Sequence, residues 1–380
     1  MRVLIDILHP AHVHFFRNFY AEMESRGHKV CITARDKDRS VELLRAYDLP
    51  YQQISQQKSG GAGLMLEMAQ RTPKLMKIMR SFKPDAMTGI MGPSIALAGA
   101  LRVRRVPAVV FYDTEFAVQT NRIVYPLSYS VCTPDCYQGT VPGRHPTYAG
   151  YHELAYLHPN RFQPDPAVLA EFGVSPGEAF SIVRFVSWQA VHDRREKGLT
   201  AKQKRHLVEV LQRRGRVLIS SEGELTPDLA DLAVRGPVEK IHHLIAHARL
   251  VVGESATMSS EAAVLGTPAV FIATTGRGYT DDQEKRYGLV RHFTEDQYDM
   301  ALSAIEELLA EPAATWQAAR QRMLDEKIDV TAWMTDYFEA VFASGGRPPQ
   351  TPPAKPRSEA SGGRPPQTPP AKTSPGKRNG

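Results

Sequence analysis

Chemistry is most legible in the stretch Leu250-Val-Val-Gly-Glu-Ser-Ala-Thr-Met-Ser-Ser-Glu-Ala-Ala-Val-Leu-Gly-Thr-Pro-Ala-Val-Phe-Ile272. An apolar run ends at Gly253, small polar residues turn the chain, and a helical-period run begins near Thr257. The first-turn N–H groups of such a helix find no partner within it and carry the positive end of the helix dipole, so they offer an anion site. Ser255, Ala256 and Thr257 are small enough to let a diphosphate come close. Glu261 lies four residues beyond Thr257, one turn along the same face. There a carboxylate can accept both hydroxyls of a ribose whose phosphates rest on the helix start. A plain N-cap, with an acid complementing the dipole, would use the same residues.

A second concentration of chemistry is Asp6-Ile-Leu-His-Pro-Ala-His-Val-His-Phe-Phe16. His9 and His12 fall in the turn after the first strand and His14 on the following helix. The spacing 9, 12, 14 does not make one helical face, so no metal is expected. A histidine at such a loop can deprotonate an acceptor hydroxyl, an effect of about 10²–10⁴ in rate. The alternative for His12 is a capping or packing side chain. Tyr112-Asp-Thr-Glu115 and Met91-Gly-Pro-Ser94 follow later strands of the same half. Asp113 or Glu115 can assist the base or bind the acceptor, and either can equally cap a turn. Ser59-Gly-Gly-Ala-Gly63 is a weaker acceptor-side loop. In the second half, Arg184 can offset diphosphate charge or form a buried ion pair. His192 can face a leaving group, and Ser220-Ser-Glu-Gly223 is placed beneath a nucleotide base.

These loops need elements to hold them. Short apolar, β-branched runs alternate with helical-period stretches, the pattern of a parallel α/β architecture. Strands are expected at Arg2–Leu8, Lys29–Thr33, Tyr51–Ile54, Ala86–Ile90 and Ala108–Tyr112, with helices at 13–26, 38–47, 64–82 and 94–102. After a proline-rich stretch, Pro159 to Pro166, a second series has strands near Phe180–Phe185, Arg216–Ser220, Leu250–Val252 and Ala269–Ile272. Its helices fall near 200–214, 239–247 and 257–265, with a C-terminal pair near 297–310 and 313–343. Two such series argue for two doubly wound domains, 1–160 and 161–343, with ligands beyond the carboxyl ends of the strands.

Composition removes other classes. From Ser344 onward there are seven basic residues against the single acid Glu359, so the tail carries the whole net charge of +6. The folded body is neutral, and nucleic acid is not expected as a partner. The tail repeats Gly-Gly-Arg-Pro-Pro-Gln-Thr-Pro-Pro-Ala-Lys at 345–355 and 362–372. Such composition cannot offset the entropy of ordering, so 344–380 is expected to be disordered. It reads as a solvated extension, a polyproline ligand or a weak tether to anionic lipid. No apolar run reaches membrane-spanning length, and MRVLIDILHP reads as a buried strand rather than a signal peptide, so a cytoplasmic protein is expected, with peripheral association at the inner membrane face open to it. Three cysteines, Cys31, Cys132 and Cys136, make neither a disulfide framework nor a zinc site. Phosphate-loop and dinucleotide-binding glycine motifs are absent, which weakens ATPase and dehydrogenase readings.

The small-residue loop, the helix with Glu261 and Gly-Thr-Pro-Ala-Val at 266–270 together resemble the donor-nucleotide segment of GT-B glycosyltransferases and UDP-N-acetylglucosamine 2-epimerases. His12-Val13 is similar to the histidine–valine pair in the first loop of the peptidoglycan N-acetylglucosaminyltransferase, although that loop's glycines are missing here. Taken whole, residues 1 to about 340 resemble an uncharacterised family of predicted GT-B-like glycosyltransferases. The resemblance implies that Ser255, Ala256 and Thr257 hold the diphosphate and Glu261 the ribose. It also places Asp282 and Gln283, in Thr280-Asp-Asp-Gln-Glu-Lys-Arg-Tyr287, against the donor sugar. The epimerase's His-Gly-Asp-Thr segment is replaced by Thr88-Gly-Ile-Met-Gly-Pro, and its histidine–arginine–arginine–glutamate run is not recognisable. Transfer is therefore expected: a sugar moves from a nucleotide-diphosphate donor to a glycan, lipid-linked or small acceptor. His12 is the favoured base, and neither a metal nor a tightly bound cofactor is needed. The alternatives are a UDP-sugar 2-epimerase or hydrolase, and a non-catalytic scaffold in surface-polysaccharide assembly.

Overall fold

The computed structural model describes residues 1–58, 60–101, 105–186 and 198–343. Ser59, His192 and the repeated tail 344–380 lie outside the described residues. Among the described residues, twelve strands form two sheets. The first contains β1 (Arg2–Ile7), β2 (Lys29–Asp36), β3 (Tyr51–Gln56), β4 (Ala86–Ile90), β5 (Ala108–Phe111), β6 (Ser130–Pro134) and β7 (Thr147–Tyr148), in the order β3-β2-β1-β4-β5-β6-β7. The second contains β8 (Phe180–Phe185), β9 (Arg216–Ser221), β10 (Val251–Gly253), β11 (Ala269–Ile272) and β12 (Val290–Phe293), in the order β12-β11-β10-β8-β9. Strands in register, such as Val3 with Val30 and Val252 with Val183, run parallel. Each order reverses once, between β1 and β4 in the first sheet and between β8 and β10 in the second. Those switch points are where an open α/β sheet leaves a crevice for a ligand.

Both sheets are covered by helices, so their strands are apolar on both faces. Val3, Leu4, Ile5 and Ile7 of β1 are buried, as are Val251 and Val252 of β10. The helix Pro10–Ser25 forms because His9 caps it, Pro10 supplies a helical φ at its start, and Phe15, Phe16, Phe19 and Met23 recur on one buried face. It stops at Gly27, whose φ of +80° suits only a residue without a Cβ.

The end of the described chain returns to the first sheet. Val330–Phe338 packs on Pro10–Ser25 through Phe338 and Phe19, ring centroids 5.1 Å apart, and Trp333 lies 5.0 Å from Tyr148. Lys327 precedes it with a buried side chain; its Nζ donates to Asp135 at 3.1 Å and pairs with Asp282 at 3.2 Å. That ammonium pins the turn after β6 to the segment after β11. Among the described residues, no helix is long and apolar enough to cross a membrane.

Candidate functional site

The loop after β10 is shaped by close packing. A Cβ on Gly253 would sit 2.1 Å from the Arg184 carbonyl oxygen, so only glycine lets β10 end this near β8. Ser255 then caps the helix Ala256–Leu265 by accepting the Met258 N–H at 3.2 Å, and Ser255, Ala256 and Thr257 are half-buried. Thr257 shares a side-chain hydrogen bond with Tyr279. One turn on, Glu261 is buried, and its Oε1 accepts from Tyr156 at 2.8 Å and from His242 Nε2 at 2.9 Å. His14, on the helix after β1, meets His242 edge-on at 4.7 Å and stacks on Tyr156 at 5.4 Å. The Glu261 carboxylate therefore lies where helices of the two sheets meet, with both bonds on one oxygen.

Glu254 in the same loop accepts from the N–H groups of Val186 at 2.9 Å and Leu199 at 2.7 Å, and from Lys204 at 3.0 Å. It ties the end of β8 to the start of the next helix. Arg184, half-buried at the end of β8, donates to Ser220 at 2.9 Å and Glu222 at 2.7 Å. The loop after β9 thus orients this guanidinium.

Across from these lies the loop after β1. His9 Nδ1 accepts the Ala11 N–H at 3.2 Å, and His12 Nδ1 accepts the Leu8 N–H at 3.3 Å. Burial, reinforced by the charges of Lys37, Arg184 and Arg35, lowers the His9 pKa to about 3. Burial, with the charges of His9 and Lys37, likewise holds His12 well below the usual imidazole range. Both rings are neutral at physiological pH. That Arg184 acts on His9 brings the β8 loop of one sheet within electrostatic reach of the β1 loop of the other. His14 points away, into the Tyr47, Tyr156 and His242 cluster.

Other expected site residues are held by internal partners. Glu115 Oε1 accepts from the N–H groups of Gln138 and Gly278, each at 3.3 Å, clipping the loop after β5 to the loop after β11; burial raises its pKa. Asp282 accepts from Tyr151 at 2.5 Å and pairs with Lys327. Gln283 is fully buried and donates to Ser260 at 2.8 Å. Met91 and Gly92, after β4, take left-handed φ values of 59° and 53° to turn the chain into the helix Pro93–Ala100.

Some residues of this region carry no signal in the sequence pattern. His152 Nδ1 contacts Asp113 Oδ2 at 3.0 Å, and Asp113 also accepts from Thr114 at 3.0 Å. Although burial opposes its charge, the His152 ring and the Thr114 hydroxyl keep the Asp113 pKa below the usual carboxylate value. His152 is buried, with Phe15 at 4.5 Å, and its Nε2 has no partner among the described residues. The next residue, Glu153, is also buried; burial first, then the charges of Asp113 and Glu261, lift its pKa to about 8 against a hydrogen bond from Ser260. His152 and Glu153 follow a two-residue strand and precede a four-residue helix, Leu154–Leu157. No strand-to-helix periodicity frames them. The one clue is a polar His-Glu pair inside an apolar run.

The chain is 16% identical to MurG of Acinetobacter baumannii, with a TM-score of 0.53, covering 90% of this chain and 100% of that one. It is 11% identical to a UDP-GlcNAc 2-epimerase from Neisseria meningitidis solved with UDP-GlcNAc bound, with a TM-score of 0.59, covering 88% of this chain and 98% of that one. At such identities the likeness establishes the fold, which is GT-B. An uncharacterized protein of Methanocaldococcus jannaschii, MJ0665, is 24% identical over 132 residues, 35% of this chain and 38% of its own length. Residues 1–276 match the family model described as a protein of unknown function, DUF354, and the chain belongs to that family.

Proposed function

We propose that this protein is a glycosyltransferase that takes a sugar from a nucleotide-diphosphate donor bound over the second sheet and passes it to an acceptor hydroxyl held by the first. The observation that supports this most is the pairing of a half-buried, Ser255-capped helix start with Glu261 one turn further in. The helix start suits a diphosphate, by its free N–H groups and its dipole. The carboxylate suits a ribose, because Tyr156 and His242 fix Oε1 and leave Oε2 outside those two bonds. Arg184, paired with Gly253 on the strand next to β10, adds positive charge for the departing diphosphate, the kind of fixed electrostatic stabilisation that replaces a metal. The acceptor is a glycan, lipid-linked or small molecule with a free hydroxyl.

Isothermal titration of the full chain with UDP-, GDP- and dTDP-sugars tests the donor half of this reading. One nucleotide series binds, and Glu261→Gln and Glu261→Ala weaken it about 10- to 100-fold, the loss of charge-assisted bonds to two hydroxyls. Absence of binding to every nucleotide would overturn it. Bound UDP-sugar converted to an epimer, or to free sugar and UDP, without any acceptor would place the chain among epimerases or hydrolases instead.

A further inference from the structure

Three histidines, His9, His12 and His152, gather by the loops after β1 and β5, and their hydrogen bonds sort them by what they can do with a proton. A neutral imidazole has one N–H and one lone pair, and a nitrogen that accepts a backbone N–H has used its lone pair. His9 and His12 each accept at Nδ1, from Ala11 and Leu8. Each therefore carries its proton on Nε2, which is left as a donor. His152 is arranged the opposite way. Its Nδ1 faces the Asp113 carboxylate at 3.0 Å, so Nδ1 carries the proton and Nε2 keeps the lone pair. That Nε2 is buried and, among the described residues, unpartnered. A buried acceptor without a bond forfeits its hydration for nothing, so such an atom calls for a reason.

We propose that His152, aligned by Asp113, is the general base that takes the proton from the acceptor hydroxyl, while His9 and His12 serve as N–H donors. The inference rests on the sugar-transfer reading above. In the step, the acceptor oxygen bonds to the anomeric carbon, its proton passes to His152 Nε2, and the bond from the anomeric carbon to the phosphate oxygen breaks with its electron pair leaving on the diphosphate. Asp113 stabilises the imidazolium that results, and the proton later passes to water. The surroundings favour this assignment. Asp113 is held ionised, Phe15 packs on the His152 ring, and Tyr148 stacks on it with centroids 6.5 Å apart. Of the other titratable neighbours, His12 has its Nδ1 lone pair taken by the Leu8 N–H, and burial keeps Glu153 protonated to about pH 8, so the lone pair at hand is that of His152 Nε2. The loop after β5 that carries Asp113 is also the one clipped by Glu115 to Gly278, so the pair sits on the loop that joins the two halves.

Two measurements on the full chain test this independently. In ¹⁵N-histidine NMR spectra, the signal removed by His152→Gln belongs to a ring protonated at Nδ1 with a bare Nε2, while His9 and His12 are protonated at Nε2. In turnover, followed as nucleoside diphosphate released from the nucleotide sugar that binds, His152→Gln lowers the rate about 10²- to 10⁴-fold and leaves donor affinity unchanged. Asp113→Asn keeps the fold and lowers the rate in the same direction, because it no longer fixes the tautomer. An Nε2-protonated His152, or full turnover in His152→Gln, would overturn the proposal. Failure of the wild type to bind any nucleotide sugar would sink the transfer reading alone, and the spectrum would still decide the tautomer.

Discussion

Burial at the junction of the two sheets sets the charge state of four groups there. His9, His12 and His14 are all pushed toward the neutral form by desolvation, and Glu153 is pushed the same way from the acid side. Glu153 has a consequence for stability that can be measured. Its ordinary pKa is 4.5 and its folded value about 8. Below pH 4.5 it is protonated folded or unfolded and costs nothing. Between 4.5 and about 8 the unfolded chain ionises while the folded one stays neutral, so stability falls as pH rises; above 8 the loss is complete. Glu153→Gln should therefore be about as stable as wild type at pH 4.5 and more stable by a few kcal/mol, on the order set by the shift, at pH 8. Chemical denaturation at the two pH values checks this, and an equal difference at both would refute it. At this scale the sequence speaks unevenly. Glu261 is legible because a helix and its spacing frame it, and the histidines after β1 because a strong strand precedes them. Asp113 is visible in its loop, but its partner His152 stands 39 residues away, beside no periodic element, and only the fold joins them.

The elements that carry the site owe their placement to a few packing constraints. Gly253 is the sharpest, since β10 ends against the backbone of β8 and the chain must enter the helix Ala256–Leu265 at once. Gly253→Ala forces backbone apart rather than a flexible side chain, and should cost about 3 kcal/mol or more. The urea midpoint reports it, and a midpoint equal to wild type would show that β10 can shift freely. Strands of apolar, β-branched residues buried on both faces are readable from sequence, and Ala86–Ile90, Phe180–Phe185 and Ala269–Ile272 have the expected bounds. The less legible strands are β6, β7 and β12. Ser130–Pro134 mixes hydroxyls and a proline into its run, Thr147–Tyr148 is two residues long, and Val290–Phe293 carries Arg291 and His292 because it is a sheet edge paired only with β11. β7 and β12, short or at an edge, bury too little to need an apolar pattern, whereas β6 is fully buried and its Ser130 and Thr133 hydroxyls are met by Tyr337 and His145.

For the whole molecule, the two sheet orders put a switch point on each side of one junction, and the chain crosses that junction more than once. Lys327 between Asp135 and Asp282, Glu115 on Gly278, and the return of Val330–Phe338 to the first helix all couple the halves. A ligand held between the loop after β10 and the loops of the first sheet would feel that coupling. Hydrogen exchange of the full chain, with and without saturating nucleoside diphosphate, tests the central claim directly. At ligand about 100 times its Kd, the amides of 254–259 at the helix start should exchange up to about 100-fold more slowly, and those of 76–82, whose last residue Phe82 packs under Arg2 at the opposite, amino end of β1, should be unchanged. Unaltered exchange at 254–259, or protection confined to 76–82, would contradict a nucleotide site on that helix.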